Sequence, residues 1–402
     1  MNDFPVITVT EKCYKRLNGV HPWVFDNEIV SAESGAENGE PVTVKSEKGR
    51  FAGIGFYNNR SHITVRIISR NANDRIDEDF FRRRTGYAWE YRKAVMSKDD
   101  LSAARIIFGE ADLFPGLTVD RFGSLLSVQS LSLGTDKRLD MILPCLVQLM
   151  AADGADIEGI FLRNDVNIRE LEGMEQSKGW YMRHGDISPE TVITENGIKY
   201  RVDLENGQKT GFFLDQKYNR RAVASYAKGR TVMDCCTHTG SFALNCAMNG
   251  AKSVTAVDVS PAAIEMTREN AALNGVALQT EVSDVFDFLK GRIDAHDKSA
   301  DLIILDPPAF TKSRKTLGNA RNGYTELNTL GMRLLPRGGI LATASCSHFF
   351  TADMFREMLL ASAKAANVNV RVIEERRQSP DHPVLLGVEQ TEYLKFFILQ
   401  IV

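Results

Sequence analysis

Four short apolar segments recur through the second half of the chain, and this recurrence constrains the fold more than any other feature. The segments are TVMDCC, SVTAVDVS, LIILDPP and GILATASCS, and stretches with helical spacing separate them. Apolar strands that alternate with helices form a mostly parallel sheet with both faces covered. We therefore predict an α/β fold with a doubly wound sheet, which the later segment YLKFFILQIV completes as a buried strand.

The first half of the chain has a different pattern. Segments such as PVITVT and SHITVRIISR alternate apolar and polar side chains, which predicts a small β-barrel or sandwich. An amphipathic helix is predicted over Asp77–Met96, and a second helix over Thr135–Ala152, with strands before it and again through Arg163–Gly173. The predicted domains are therefore a small β-barrel at 1–71, a middle α+β domain at 72–188 and the α/β domain at 189–402.

Composition excludes several classes of protein. The 402 residues carry a net charge of −3 and only six cysteines, with no CxxC pair that would predict zinc or a disulfide framework. The longest apolar stretch, near Met141–Ala152, is too short to span a membrane. The first residues lack the features of a secretory signal. We expect a cytoplasmic protein with no metal site and no membrane partner.

The segment VMDCCTHTGSFALNC predicts a ligand site at the end of a strand. Asp234 ends the first strand, and Asp258 ends the next strand about 24 positions later, where an acid commonly binds ribose hydroxyls. The loop between Cys236 and Phe242 holds only Gly240, whereas dinucleotide-binding loops use G-x-G-x-x-G. An acid at position 234 suits a ligand with positive charge, such as the amino group and sulfonium of S-adenosylmethionine. Asp284 follows the third strand, and two interpretations stay open for it: a contact at the adenine rim, or a helix N-cap.

With these residues placed, the chain resembles the class I S-adenosylmethionine-dependent methyltransferases, which have a Rossmann-like sheet. It is most similar to the bacterial large-subunit ribosomal RNA cytosine-C5 methyltransferases that carry an N-terminal PUA domain. The segments that carry the resemblance are GVHPWVFDNEIV, NGQKTGFFLDQKYNRR, DCCTHTGSFALNCAMNGA, VDVSPAAIEMTRENAALNG, LDPPAFTKSR and ASCSHFF. The resemblance implies S-adenosyl-L-methionine as cofactor and ribosomal RNA as partner, and the sequence also allows a homodimer. The cofactor contacts that it implies are Phe213, Gln216, Arg220, Asp234, Thr239, Gly240, Asp258, Asp284 and Asp306.

Two residues at strand ends predict the chemistry. Asp306 and Cys346 follow adjacent apolar strands, so they should lie on the same rim of the sheet. Carbon C5 of cytosine is a poor nucleophile until a thiolate adds to C6. Cys346 suits that role, and Asp306 suits the acid near N3 or the exocyclic amine. The other interpretation of Cys346 is a buried core thiol.

Two alternative functions remain open. Asp306-Pro307-Pro308 resembles the motif of amino-group methyltransferases, although the aromatic Phe310 comes one position late, so methylation of a base nitrogen in guanine or adenine is the second hypothesis. The third is a non-catalytic RNA-binding protein. Stacking of a flipped base is predicted for Phe310 and Phe349. The residues predicted to contact RNA phosphates are Lys312, Arg314 and Lys315 after the motif, and Lys12, Lys15, Arg16 and Arg60 in the barrel.

Overall fold

The computed structural model describes residues 3–311 and 313–402, and these residues form two compact units. The first unit comprises Met1–Ile193, Val202–Leu214 and Pro380–Thr391. The second unit comprises Thr194–Arg201, Asp215–Ser379 and Glu392–Val402.

The first unit begins with a six-stranded sheet. Its strands are β1 (Val6–Val9), β2 (Trp23–Val24), β3 (Ile29–Ala32), β4 (Pro41–Ser46), β5 (Phe51–Tyr57) and β6 (Val65–Ser69), in the order β2-β6-β5-β4-β1-β3. Helix α1 (Glu11–Asn18) connects β1 to β2, and the hydroxyl of Thr10 caps it by accepting from the Cys13 amide. Alternate residues such as Val42 and Val44 are fully buried. The predicted alternation of apolar and polar residues is therefore confirmed.

A five-stranded sheet with helices follows in the same unit. Its elements are α2 (Glu78–Val95), β7 (Ala103–Phe108), β8 (Leu117–Phe122), β9 (Leu125–Ser130), α3 (Leu133–Asp136), α4 (Leu139–Ala152), β10 (Gly159–Asn164), α5 (Ile168–Leu171) and β11 (Ser177–Arg183). The strand order is β11-β10-β9-β8-β7. The predicted first helix is confirmed within a residue at each end, because the Asp77 carboxylate caps α2 by accepting from the Phe80 amide.

Two predictions for this region were wrong in detail. The helix predicted from Thr135 is interrupted at Lys137 and Arg138, so its long part begins at Leu139. The strand predicted through Arg163–Gly173 ends at Asn164, and residues Ile168–Leu171 form a helical turn. Ile168 and Leu171 are both exposed, so their spacing does not mark a buried strand face.

A hairpin joins the sequence regions of the two units, and the division between the units falls within it. Strands β12 (Glu190–Glu195) and β13 (Ile198–Asp203) form a two-stranded sheet. Their turn is Asn196-Gly197, and both residues have positive φ, at 55° and 79°. Such a turn matches the twist of paired strands, which explains why these two strands form a hairpin.

The second unit is built on a seven-stranded sheet. Its strands are β14 (Thr231–Cys235), β15 (Ser253–Asp258), β16 (Gln279–Val282), β17 (Leu302–Leu305), β18 (Ile340–Ser345), β19 (Val370–Arg376) and β20 (Lys395–Ile401), in the order β16-β15-β14-β17-β18-β20-β19. The helices are α6 (Lys217–Ala224), α7 (Ser241–Met248), α8 (Pro261–Leu273), α9 (Val285–Asp294), α10 (Leu317–Leu334) and α11 (Ala352–Ala366). The first five strands in that order are parallel, so the doubly wound α/β fold is confirmed.

The last strand takes a different place from the one that its position in the chain suggests. Strand β20 is buried, as predicted, but it lies antiparallel between β18 and β19. The edge strand β19 was not predicted, because VRVIEER is polar and partly exposed.

Polar contacts join the two sheets of the first unit. The indole Nε1 of Trp23 donates to Glu110 Oε1 at 2.9 Å, and Arg66 forms ion pairs with Glu110 and Glu172. These contacts explain why residues 1–71 and 72–188 fall in one compact unit. The division into three domains stays a prediction.

Candidate functional site

The carboxyl ends of four neighbouring parallel strands meet at one edge of the seven-stranded sheet. Strands β14, β15, β17 and β18 end at Cys235, Asp258, Leu305 and Ser345. In open α/β sheets, ligands bind at this edge. The residues that follow directly are the loop from Cys236 to Gly240, then Asp306 and Cys346. The strand order thus places the predicted cofactor and catalytic residues along one rim.

Asp234 is the second-last residue of strand β14, and it is buried with no cationic side chain bonded to it. Its Oδ2 accepts from the Thr237 hydroxyl at 2.6 Å and from the Ala243 amide at 2.9 Å. Its Oδ1 is buried and has no hydrogen-bond partner among the described residues. Burial raises the pKa of this carboxyl to about 6. A positively charged ligand would stabilise the ionised form, as the sequence predicts.

The loop after β14 has an unusual backbone. Cys236, His238 and Gly240 all have positive φ, at 65°, 53° and 79°. A Cβ added at Gly240 would lie only 2.7 Å from Thr267 Cγ2, so this position needs glycine for space as well as for conformation. Thr239 Oγ1 is buried with no hydrogen-bond partner among the described residues. The loop therefore offers a polar atom to a ligand.

Asp258 connects the end of β15 to this loop. Its Oδ2 accepts from the His238 amide at 2.9 Å, and its Oδ1 accepts from the Ser260 amide at 3.0 Å. The side chain is half-buried. These two bonds fix the carboxylate at the rim. Its predicted contact with ribose stays a prediction.

Asp284 is the N-cap of helix α9, so that interpretation is confirmed. Its Oδ1 accepts from the amides of Phe286 at 2.8 Å and Asp287 at 3.3 Å. Both bonds involve the same oxygen, and the side chain is exposed. The cap therefore leaves the other oxygen for an adenine amino group, a contact that stays a prediction.

Asp306 lies directly after β17 and is held by a glutamine. Gln216 Nε2 donates to Asp306 Oδ1 at 3.1 Å, and Gln216 Oε1 accepts from Asn219. Burial, together with the nearby carboxylates of Asp215 and Asp234, raises the pKa of Asp306 to about 7. At neutral pH this carboxyl therefore exists in both protonation states, which is what an acid catalyst needs.

Cys346 is half-buried between two serines that one tyrosine holds. The Tyr324 hydroxyl lies 3.0 Å from Ser345 Oγ and 2.9 Å from Ser347 Oγ. Burial raises the pKa of the Cys346 thiol to about 12, with Asp306 adding to the effect. In this structure the surroundings favour the neutral thiol, whereas the predicted chemistry needs the thiolate.

Sequence reasoning missed Lys395, which lies beside Cys346. Lys395 is buried, and its Nζ donates to the carbonyls of Ser347 at 2.6 Å and Tyr393 at 2.8 Å. Burial lowers the pKa of this ammonium to about 8. A single lysine inside the apolar segment YLKFFILQIV was the signal that could have identified it.

Asp215 was also missed, although it lies in the segment KTGFFLDQ. Its Oδ2 accepts from the Tyr393 hydroxyl at 2.7 Å, and its backbone carbonyl accepts from the Ser379 amide. Its Oδ1 is buried without a hydrogen-bond partner among the described residues. Asp215 acts electrostatically on both Asp306 and Cys346, so it belongs to the same site.

The remaining predicted cofactor contacts differ in their surroundings. Arg220 is buried and forms a two-point ion pair with Glu195, at 2.6 and 2.9 Å. Phe213 is half-buried in a segment of the first unit. The roles of both residues toward the cofactor stay predictions.

Only some of the side chains predicted to contact RNA are exposed to solvent. Arg16 forms an ion pair with Glu28 and donates to the Trp23 carbonyl, so it is committed to the fold. The Phe310 ring packs against Phe286 and Tyr324, which favours a structural role. The residues that the structure shows exposed are Lys12, Lys15, Arg60 and Lys315, while Lys312 and the side chain of Arg314 lie outside the described part of the chain.

Two aromatic side chains of the segment GVHPWVFDNEIV lie at the border of the barrel core. Trp23 and Phe25 are both only partly buried. Their rings pack edge to face, with Arg16 over the Phe25 ring.

Two family models match the chain. A PUA-like domain matches residues 7–70, and an S-adenosylmethionine-dependent methyltransferase model matches residues 172–395. No described helix is long and apolar enough to cross a membrane. Within residues 3–311 and 313–402, no group of three or more metal-binding side chains was found.

Curated relatives match over nearly the full length. A protein of Erwinia tasmaniensis named ribosomal RNA large subunit methyltransferase I is 38% identical over 392 residues, which cover 96% of this chain and 97% of the relative. A protein of the same name from Klebsiella pneumoniae is 36% identical over 402 residues, covering 99% of this chain and 98% of the relative.

Solved structures share the fold. A candidate SAM-dependent methyltransferase from Streptococcus mutans has a TM-score of 0.81 at 21% identity, covering 98% of this chain and 99% of that one. A second candidate methyltransferase, solved in complex with SAH, has a TM-score of 0.83 at the same identity and coverage.

Proposed function

We propose a function from the premise that this chain belongs to the S-adenosylmethionine-dependent methyltransferases of the ribosomal RNA large subunit methyltransferase I type. It methylates C5 of a cytosine in large-subunit ribosomal RNA. The single observation that carries the proposal is the pair Asp306 and Cys346 at the ends of β17 and β18, which are adjacent and parallel. A cysteine beside an acid is the combination that C5 chemistry needs, and methylation of an amine needs no cysteine.

The residues of the rim fit the cofactor. The unpartnered Oδ1 of Asp234 suits a positively charged amino group, and Thr239 Oγ1 offers a second polar contact. Gly240 keeps the loop close to helix α8. Asp258 would hold the ribose and Asp284 the adenine amino group. When bound, S-adenosylmethionine supplies an electrophilic methyl group to C5.

The steps assigned to this chain begin with the thiolate of Cys346, which adds to C6 of the cytosine. Asp306 donates a proton to N3, so the electron pair of the ring becomes available at C5. After C5 is methylated, a base takes the C5 proton, the C5–C6 double bond re-forms, and the C6–S bond breaks to release the thiolate. N3 then returns its proton to Asp306. The raised pKa of Asp306, at about 7, lets it carry the proton at neutral pH.

The alternative of nitrogen methylation is less well supported. The Phe310 ring, which would stack on the base, packs instead against Phe286 and Tyr324. Cys346 also has no part in that chemistry. No observation on the chain favours the non-catalytic alternative over an enzyme, because the cofactor rim keeps its polar residues. Ribosomal RNA as partner, a homodimer and a cytoplasmic location stay predictions.

Trapping on 5-fluorocytidine RNA tests the proposed function. Fluorine at C5 cannot leave as a proton, so wild-type protein with S-adenosylmethionine should form a stable covalent adduct visible as a gel shift under denaturing conditions. Cys346→Ala should form none. Cys145→Ala is the control, because Cys145 lies in helix α4 of the first unit, so this variant should still form the adduct. Normal methylation by Cys346→Ala, or an adduct that persists in that variant, would overturn the proposal.

A further inference from the structure

Lys395 is bonded to the loop that carries Cys346 and lies next to it in the sheet. Strand β20 pairs antiparallel with β18, and Lys395 is the partner of Ser345 in this register. The Nζ atom donates to the carbonyl of Ser347 at 2.6 Å. The lysine is therefore attached to the chain on both sides of Cys346, at one side through strand pairing and at the other through its side chain.

No ion pair among the described residues compensates the buried charge of Lys395. Two of its hydrogens are used by the carbonyls of Ser347 and Tyr393. No salt bridge to a carboxylate is formed within 4 Å among the described residues, although Glu392 acts on it from farther away. Isolated buried lysines are rare because desolvation of the charge is costly. A buried cation next to a cysteine therefore points to a role in the chemistry.

The charged and titratable groups that act on Cys346 come from four elements. Asp306 after β17 and Asp215 before α6 both oppose the thiolate. Tyr324 of α10 acts electrostatically with Cys346 and is itself neutral. Among the charged side chains in the described part of the chain, Lys395 of β20 is the one that acts on the thiol to favour its ionised form.

We propose that Lys395 is a positioning residue for Cys346: its ammonium group stabilises the thiolate and holds the Ser345–Ser347 turn at the rim. The inference rests on the proposed function, because it names the group that makes the nucleophile available. The proton of the thiol goes to water, and Lys395 keeps its own protons throughout. The ammonium group compensates in part for the carboxylates of Asp306 and Asp215, which disfavour the thiolate of Cys346.

Alkylation of Cys346 tests this inference without RNA or cofactor. The rate of reaction with iodoacetamide is proportional to the thiolate fraction, and peptide mass spectrometry separates Cys346 from the other five cysteines. The full-length wild-type protein is compared with Lys395→Gln and Lys395→Met at pH 7, where an ammonium group of pKa about 8 is mostly charged. Loss of the positive charge should lower the alkylation rate of Cys346 about tenfold, which corresponds to about one pKa unit. An unchanged rate in a folded uncharged variant would contradict the inference.

Three further variants separate charge from structure. Lys395→Arg keeps the charge, so its rate at pH 7 should be no lower than half that of the wild type, and a tenfold loss would overturn the inference even if neither uncharged variant folds. Lys290→Gln removes an exposed lysine of the same unit and is the matched control, with no change expected. Tyr324→Phe breaks the bonds to Ser345 and Ser347 without changing charge, so it should lower kcat of methylation but leave the alkylation rate at pH 7 unchanged.

The outcomes distinguish the inference from the proposed function. If wild-type protein forms no adduct with 5-fluorocytidine RNA, the proposed function fails, whatever the alkylation rates are. If the adduct forms but Lys395→Gln alkylates like the wild type, only the assignment of Lys395 fails.

Discussion

Two buried aspartates of the first unit, Asp112 and Asp120, have arginine partners, whereas a buried aspartate at a strand end of the second unit has no bonded cation. In the first unit, Arg92 forms two short bonds with Asp112, at 2.6 and 2.7 Å, and Arg105 pairs in the same way with Asp120. At the rim of the second unit, Asp234 is fully buried with no cation bonded to it.

The difference teaches which charges serve structure and which serve chemistry. A buried ion pair satisfies both members and leaves no group to act on a ligand. An unpaired buried carboxyl or ammonium group shifts its pKa toward neutral pH, and such groups cluster at functional sites. The shifts of Asp234, Asp306 and Lys395 all run in this direction. The second unit also contains a paired charge, Arg220 with Glu195, so the contrast lies in the rim rather than in the unit as a whole.

The largest expected effect is on chemistry. Cys346→Ala should lower kcat of RNA methylation by about 10⁴-fold or more, because no other group can add to C6. Transfer of a labelled methyl group from S-adenosylmethionine to RNA measures this rate. Affinity for S-adenosylmethionine should change less than threefold, and a large loss of affinity would show that the thiol serves binding instead.

The next effect is on stability in the first unit. Arg92→Met leaves the carboxylate of Asp112 buried and unpaired, which should lower the free energy of unfolding by about 3–5 kcal/mol. Urea denaturation measures the change. Folded Arg92→Met protein should bind S-adenosylmethionine as wild type does. A loss below 1 kcal/mol would remove the contrast between the two regions.

A smaller effect is expected at the rim, where a substitution should raise the free energy of unfolding instead of lowering it. Asp234→Asn should raise the free energy of unfolding by about 1–2 kcal/mol at pH 8, because the amide oxygen can still accept from Thr237 and Ala243 and no charge is buried. The folded pKa of Asp234, about 6, lies above its usual value of 3.8. The free energy of unfolding of the wild type therefore falls, relative to that of Asp234→Asn, as pH rises from about 4 to about 6. The wild type and the variant should be equally stable at pH 3.5.

Affinity for S-adenosylmethionine should move the other way in that variant. Asp234→Asn should weaken binding at least tenfold at pH 8, since the charge that the ligand needs is gone. Calorimetric titration measures the affinity. A variant that is more stable and binds as tightly as wild type would show that Asp234 has no role toward the cofactor.

The smallest effect is expected at an exposed pair. Arg82→Gln breaks the ion pair with Glu78 on the surface of α2, and the free energy of unfolding should fall by less than about 0.5 kcal/mol. The same urea denaturation provides the comparison with Arg92→Met. A loss as large as that of the buried pair would mean that burial is not what separates the two regions.

Sequence patterns predicted the sheet and most of the rim. Asp234 and Asp258 lie at the ends of apolar strands, and Asp306 and Cys346 directly follow such strands. The ends of parallel strands meet at one edge, so this grouping followed from local patterns. Lys395 could not be placed in this way, because it begins an antiparallel strand. Its approach to Cys346 depends on the pairing of β20 with β18, which no local pattern specifies.

The charges that surround Cys346 could not be predicted from the sequence either. Cys346 was expected as a thiolate, but its pKa depends on how deeply it is buried and on Asp215 and Asp306, which come from distant segments. Arg220 was expected to contact the cofactor, and its ion pair with Glu195 joins residues that are 25 positions apart. Pairings of this kind arise only when the chain has folded.

Strand β20 also sets the order of events during biosynthesis. It is translated after the six strands that accompany it, yet it inserts between two of them. Until residues 395–401 leave the ribosome, β18 therefore presents an unpaired edge, which is open to wrong association. Cys346 meets Lys395 only at that insertion, so the group proposed to stabilise the thiolate joins the rim after the other strands have been translated.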